Sequence, residues 1–328
     1  MRVDGSVRLS DACAEFGLGA AQTWVPVRGG LSNRLFRVTT DQGQFAVKQL
    51  MLNADHPEFL RYLHEAYAIE RAAFMARVPM PEPIPHPRDG RPVMRVGDAL
   101  VRVHKWLDGA PVHPRAIDPD LVHTAGRVLA HIHRAGRTGP PLIVGPRPDY
   151  TWQRLAGWAA ATGAPFADEL YELVPLADAL DARIGSDLDR PSRPTLTGHS
   201  DFDPKNCLLL PGGKLAVTDW DTARPVDPYR ELGAVVLDWC GAIQGDADPE
   251  LTTALRAGYR DGGGPAGTPA PDAVASWLRT YLDWLAVNIE RLRRDQMADV
   301  AINQVRWGMD LIRRATRHYD HWVALVTR

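Results

Sequence analysis

Residues 199–221 read His199-Ser200-Asp201-Phe202-Asp203-Pro204-Lys205-Asn206-Cys207-Leu208-Leu209-Leu210, then Pro211-Gly212-Gly213-Lys214, then Leu215-Ala216-Val217-Thr218-Asp219-Trp220-Asp221. Two short apolar runs flank turn residues, which predicts a β-hairpin. The polar stretch before it is a tight loop holding a carboxylate, Asp201, and five residues later an amide, Asn206. The hairpin returns the chain so that Asp219, 18 residues after Asp201, reaches the same end of the two strands as Asn206. An amide oxygen and a carboxylate together suit Mg²⁺, a hard ion that takes oxygen ligands and keeps waters. Asp201 is then left to orient an alcohol or accept its proton. Taken singly, Asp, Asn and Pro in loops are ordinary turn formers. The joint pattern H-x-D-x-x-x-x-N, apolar hairpin, D is far more specific, and it matches the parts that phosphoryl transfer requires.

Working outward, residues 1–107 read as a β-rich front. Trp24–Val27, Leu35–Thr39 and Gln44–Leu50 are short β-favouring runs, and Val93–Val96 with Ala99–His104 read as a hairpin around Gly97-Asp98. A helix is expected from about Pro57 to Arg77. Lys48, in Phe45-Ala46-Val47-Lys48, lies inside an apolar strand, where an ammonium needs a partner or water. The strand resembles the V-A-I-K pattern that contacts nucleotide phosphates. Glu65, 17 residues on, is the expected partner, with Glu70 as competitor. The two acids are roughly 140° apart around a helix, so only one can face the lysine.

Residues 108–328 read as mostly helical. Apolar spacing marks helices around 121–132, 152–158, 166–184 (broken near Pro175), 274–289 and 300–312, and residues 261–271 form a Gly/Pro-rich connection. With 45 % hydrophobic and 24 % charged residues in a chain of 328, the composition is globular, and two domains, 1–107 and 108–328, are expected. A net charge of −2 gives no general attraction to nucleic acid or anionic membrane. No apolar run reaches the roughly 18 residues of a membrane span, and the first residues lack an apolar signal core. Three scattered cysteines form neither a disulfide framework nor a zinc motif, so a cytoplasmic protein is expected. Residues 110–328 carry 24 basic and 28 acidic residues, which tilts the helical part toward a cationic ligand.

At this point the chain resembles the aminoglycoside phosphotransferase and choline kinase-like group of the protein kinase-like fold. The matching stretches are 29–38, 45–50, 63–74, 103–109, 126–136, 198–210 and 217–233, of which HSDFDPKN and VTDWD are the specific part. The resemblance implies an α+β, bilobal architecture with a small β-rich N-terminal lobe for nucleotide and a larger helical lobe for catalysis and substrate. It implies Asp201 as catalytic base, Asn206 and Asp219 as Mg²⁺ ligands, and Lys48, held by Glu65, on the α- and β-phosphates of ATP or GTP. It also implies that the turn at Gly30, Ser32 and Asn33 lies over the phosphates, and that the backbone at Lys105 and Leu107 meets the adenine. Glu231 would brace the catalytic loop. The chain departs from protein kinases at Asp203, where they place a lysine, in DWD for DFG, and in having no room for an activation segment between Asp221 and Glu231. These departures point away from a protein substrate and toward a small molecule; the first candidate is a hydroxylated, cationic compound such as an aminoglycoside-like antibiotic. The alternatives are a metabolic amino-alcohol or sugar kinase, or a nucleotide-binding protein that has lost catalysis. The resemblance leaves the oligomeric state open.

Overall fold

The computed structural model describes residues 8–27, 33–51, 57–136, 138–141, 150–190, 193–245, 247–294 and 298–328. In chain order the described elements are α1 (Leu9–Phe16), β1 (Ala21–Val27), β2 (Asn33–Thr40), β3 (Gly43–Leu50), α2 (Pro57–Met75), β4 (Pro83–Ile84), β5 (Val93–Val96), β6 (Ala99–Lys105) and β7 (Ala110–Pro111). They continue with α3 (Pro119–Arg134), α4 (Trp152–Ala161), α5 (Ala167–Leu188), β8 (Leu196–Gly198), β9 (Cys207–Leu209), β10 (Leu215–Val217), β11 (Arg224–Val226), α6 (Pro228–Trp239), α7 (Pro249–Asp261), α8 (Pro271–Arg293) and α9 (Ala298–Thr327).

The chain forms two compact units that do not follow a single cut at 107/108. The first comprises residues 1–116, 131–137 and 197–224; the second comprises 117–130, 138–196 and 225–328. The loop and hairpin of 199–221 therefore pack with the N-terminal residues.

In the first unit an antiparallel sheet runs β1-β2-β3-β6-β4, with β5 also pairing β6. Side chains alternate between its faces, as strand geometry requires. Phe45 and Val47 of β3 join Val101 and Val103 of β6 and bury against Cys13 and Phe16 of α1. The opposite face carries α2: Leu50 and Leu100 pack on Leu63, Phe59 and Leu60. Lys48 and Arg102 share that second face and stand directly opposite each other in the β3–β6 register. Helix α2 turns Leu63, Ala66, Tyr67, Glu70 and Ala73 inward, the i, i+3, i+4, i+7 stripe of a helix on a core.

The second unit is helical. α8 packs on α9, α6, α5 and α4. Its interior holds Trp152, Leu155, Leu180, Ile184, Leu285 and Ile312 among others. The break expected near Pro175 is absent, and α5 is continuous with Pro175 inside it. A proline forfeits one backbone hydrogen bond. Burial of Leu170, Leu173, Val174 and Ala177 on both sides of it holds the helix together.

Candidate active site

The expected hairpin is present. β9 and β10 pair antiparallel with Cys207 opposite Val217, and the Asn206 carbonyl accepts the Thr218 N–H at 2.8 Å and the Thr218 hydroxyl at 3.0 Å. Asn206 and Asp219 consequently leave the same end of the two strands. The loop before β9 is tightly tied. Asp203 accepts the Lys205 N–H at 2.7 Å and caps a single 3-10 turn, Pro204–Asn206. His199, fully buried, donates from Nε2 to the Thr218 carbonyl at 3.0 Å and meets the Trp220 ring edge-on at 4.7 Å. Ser200 and Asp219 both adopt left-handed backbone, φ 66° and 62°. That conformation is uncommon outside glycine and recurs where a side chain must be aimed.

Asp201 is held on both carboxylate oxygens. Asn206 donates from Nδ2 to Oδ2 at 2.8 Å and to the Asp201 carbonyl at 2.8 Å, and Lys205 Nζ donates to Oδ1 at 2.9 Å. The amide hydrogens of Asn206 are thus spent, and its Oδ1 is the group left to accept a cation or a donor. Lys205 also binds the buried Asp203 carboxylate. Burial pushes the Asp203 carboxyl up, against the pull of Lys205.

Lys48 reaches two carboxylates, Asp219 and Asp221, each at 2.6 Å. Burial alone would lower its pKa; the two acids outweigh that and hold it raised. Asp221 shows the converse, with burial opposed and overcome by Lys48 and Arg102, so its carboxyl sits well below the usual range. Arg102 binds Asp221 through one terminal nitrogen and Glu70 through the other. His104 Nε2 meets the second oxygen of Glu70 at 2.8 Å.

The expected Lys48–Glu65 pair is therefore corrected. Glu65 is exposed and pairs with Arg61, one turn away at 3.2 Å. It lies about 160° around α2 from Leu63, whereas Glu70 lies within about 20° of it. The inward acid is Glu70, and it meets Arg102 and His104 rather than the lysine. Gly30 and Ser32 lie outside the described residues. Asn33 opens β2, and its side chain accepts the Met51 N–H at 3.3 Å, closing the end of the β2–β3 pair. At the end of β6, the N–H groups of Lys105 and Trp106 go to the carbonyls of Glu82 and Gln44. The Leu107 N–H has no backbone acceptor among the described residues. Arg102, Asp221, His104 and Lys205 were not anticipated as members of this cluster.

Among the described residues no three His, Cys, Asp or Glu side chains form a metal-binding group. Mg²⁺ does not need one, because it is commonly held by one or two carboxylates with waters and substrate phosphates. The Asn206 amide oxygen and the more exposed Asp219 carboxylate fit that donor set.

The second unit holds a separate polar–aromatic cluster. Asp238 of α6 accepts the Trp277 indole N–H at 2.6 Å and the Tyr281 hydroxyl at 2.9 Å. The Trp277 and Tyr281 rings lie 5.2 Å apart, and Trp307 stands 5.0 Å from Tyr281. Other tryptophans, Trp152, Trp239 and Trp322, are core.

A loop aspartate and asparagine, a hairpin-borne aspartate and a strand lysine lie together within one unit, and the chain as a whole is a phosphotransferase of protein kinase-like fold. Residues 23–274 match the sequence model of the Phosphotransferase enzyme family, and the chain belongs to that family. It is 28 % identical over 254 residues to homoserine kinase of Pseudomonas aeruginosa, covering 75 % of this chain and 74 % of that protein. In fold it is similar to spectinomycin phosphotransferase APH(9)-Ia, whose structure holds ADP and spectinomycin. That match has a TM-score of 0.64 at 14 % identity and covers 96 % of this chain and 99 % of the other. A microcompartment-associated aminopropanol kinase gives a TM-score of 0.61 at 18 % identity and covers 98 % of each chain. The protein is a small-molecule phosphotransferase. Among the described residues no helix is long and apolar enough to cross a membrane.

Proposed function

We propose that the protein transfers the γ-phosphoryl group of ATP or GTP, with Mg²⁺, to a hydroxyl of a small molecule that carries a basic nitrogen. The observation that carries the transfer chemistry is the tethered Asp201, gripped on separate oxygens by Asn206 and Lys205. Each oxygen keeps a further lone pair, so Asp201 orients the acceptor hydroxyl and takes its proton as the oxygen attacks. Lys48 binds donor phosphates, and Asn33 and the backbone at Lys105 and Leu107 border the nucleotide. Asn206 and Asp219 would hold Mg²⁺, which when bound neutralises phosphate charge.

Two observations favour an aminated acceptor. Residues 110–328 carry 28 acidic against 24 basic residues, a tilt that suits a cation. The acceptors named for the relatives (homoserine, spectinomycin, aminopropanol) are hydroxyl compounds with an amine. The choice between an aminoglycoside-like antibiotic and a metabolic amino alcohol is made by a coupled ADP-release assay. It runs over spectinomycin and other aminoglycosides, amino alcohols, homoserine and neutral sugars. Turnover should be confined to amines. A neutral sugar as the best acceptor would overturn the amine assignment.

A further inference from the structure

Lys48 and Arg102 face each other across β3 and β6. Two cations placed directly opposite on one sheet face repel. The structure resolves the conflict with Asp221, whose two oxygens take one cation each. The far side of Arg102 is closed by Glu70, whose carboxylate is buried in the inward stripe of α2. The turn Trp220–Thr222 that carries Asp221 itself packs against α2. The charges thus run in an unbroken chain from helix to strand lysine: Glu70, Arg102, Asp221, Lys48.

We propose that Arg102 is a positioning residue for nucleotide binding: it fixes Asp221, and through Asp221 the ammonium of Lys48, against helix α2. The proposal rests on the reading of Lys48 as a phosphate contact. It divides the two acids on Lys48 by role. Asp219, the more exposed, would be the one to hold Mg²⁺. Asp221 is anchored by Arg102 and stays on the lysine, so Lys48 keeps one fixed partner while it holds phosphate. A direct pair between the lysine and a helix acid is absent among the described residues, and Arg102 supplies the missing length between Glu70 and the lysine's partner.

The test is a calorimetric titration of the full chain with Mg²⁺–ATP, which needs no acceptor. Arg102→Gln and Asp221→Asn should each weaken binding about tenfold, the size of one lost charge-assisted hydrogen bond. The double variant should be little weaker than either single one, because the two act through one contact. Arg102→Lys, which cannot span both carboxylates, should fall between wild type and Arg102→Gln. Leu63→Ala removes a buried side chain from the same face of α2 and should lower Tm while leaving the dissociation constant within about twofold, given that packing and this contact are separate. Wild-type affinity in folded Arg102→Gln would overturn the proposal, as would strictly additive losses. Should Arg102→Gln fail to fold, Glu70→Gln carries the test, because freeing the far side of Arg102 must also weaken binding. A wild-type protein that binds no Mg²⁺–ATP would instead refute the nucleotide-site reading itself, and the proposal with it.

Discussion

Replacing Asp201 by asparagine keeps the shape of the side chain and removes its charge. In the folded protein Asp201 accepts Asn206 through one oxygen and Lys205 through the other. The asparagine retains a single carbonyl oxygen, so one of the two contacts is lost. The side chain is 37 % exposed, so the stranded donor finds water, and the folding cost is about 0.5–1.5 kcal/mol. At roughly 2–4 °C per kcal/mol for chains of this order of size, Tm should fall by no more than about 6 °C. The Asn206 amide also stays oriented, because it donates to the Asp201 backbone carbonyl as well. The catalytic cost is larger. A positioned base contributes about 10²–10⁴-fold, which is about 2.7–5.4 kcal/mol of barrier. The assay is coupled ADP release with the best acceptor, alongside thermal melts and a Mg²⁺–ATP titration. The expected result is a kcat at least about 100-fold lower, with nucleotide affinity within about threefold of the parent. A folded variant with kcat within about tenfold of wild type would refute the base assignment.

Asp219→Ala leaves Lys48 on Asp221 but takes away the exposed carboxylate, so nucleotide titrations should lose most of their dependence on Mg²⁺; equal tightening by the metal in mutant and parent would remove Asp219 from the ligand set. Glu65→Ala, which breaks only the exposed pair with Arg61, should change stability by less than about 0.5 kcal/mol and leave kcat/KM for the nucleotide unaltered, and a tenfold loss would show that Glu65 reaches the lysine after all. In the second unit α3 and α7 approach so closely that a Cβ on Gly258 would stand 1.9 Å from the His123 carbonyl oxygen. Gly258→Ala should therefore destabilise by about 1–3 kcal/mol or more, read as a lower Tm, and an unchanged melt would contradict the packing. For Glu70, burial raises the carboxyl pKa, but Arg102 and His104 more than offset it and the net shift is downward. Its stabilisation is present above the unfolded value of about 4.3 and is lost as pH falls through the lower folded value. The Tm gap between wild type and Glu70→Gln should thus hold steady from neutral pH to about 5 and narrow below about 4, whereas a gap that widens on acidification would reverse the sign of the coupling.

The loop and hairpin of 199–221 were legible because their information is local: turn residues, two apolar runs and fixed offsets place Asn206 and Asp219 together without knowledge of the rest of the chain. Five strands of the front sheet, β1, β2, β3, β5 and β6, were legible for the same reason, to within three residues, whereas the two-residue β4 was not. The eight-residue α1 was not anticipated; its inward set of Leu9, Ala12, Cys13 and Phe16 is too short to stand out before the sheet that it covers is known. The choice between Glu65 and Glu70 on α2 turns on which of them falls in the buried stripe. Leu63, Ala66, Tyr67 and Ala73 define that stripe, and Glu70 sits in the middle of it. A carboxylate on a buried helix face demands a buried cation, and Arg102 within Val101-Arg102-Val103 was the matching signal. The pairing itself depends on the β3–β6 register and on a turn more than a hundred residues downstream, and no local pattern carries that.

The site's charges sort by exposure in a way that bears on how it works. Five carboxylates, Glu70, Asp201, Asp203, Asp219 and Asp221, surround three cations, Lys48, Arg102 and Lys205, besides His104. Taking ions out of water is costly, and their mutual attraction offsets that cost only where the geometry is close. The three buried acids obey this: Glu70, Asp203 and Asp221, with side chains 0 %, 8 % and 12 % exposed, each touch at least one cation. The surplus of two negative charges falls on the exposed pair, Asp219 at 41 % and Asp201 at 37 %. Each of these shares its cation with a buried acid that also holds it, Lys48 with Asp221 and Lys205 with Asp203. Either exposed acid can then exchange its lysine for an incoming partner without leaving a buried charge unpaired, which would cost far more than the exchange itself. On the proposed assignment, the arrangement would keep a carboxylate available for a divalent cation at Asp219 and for a hydroxyl proton at Asp201.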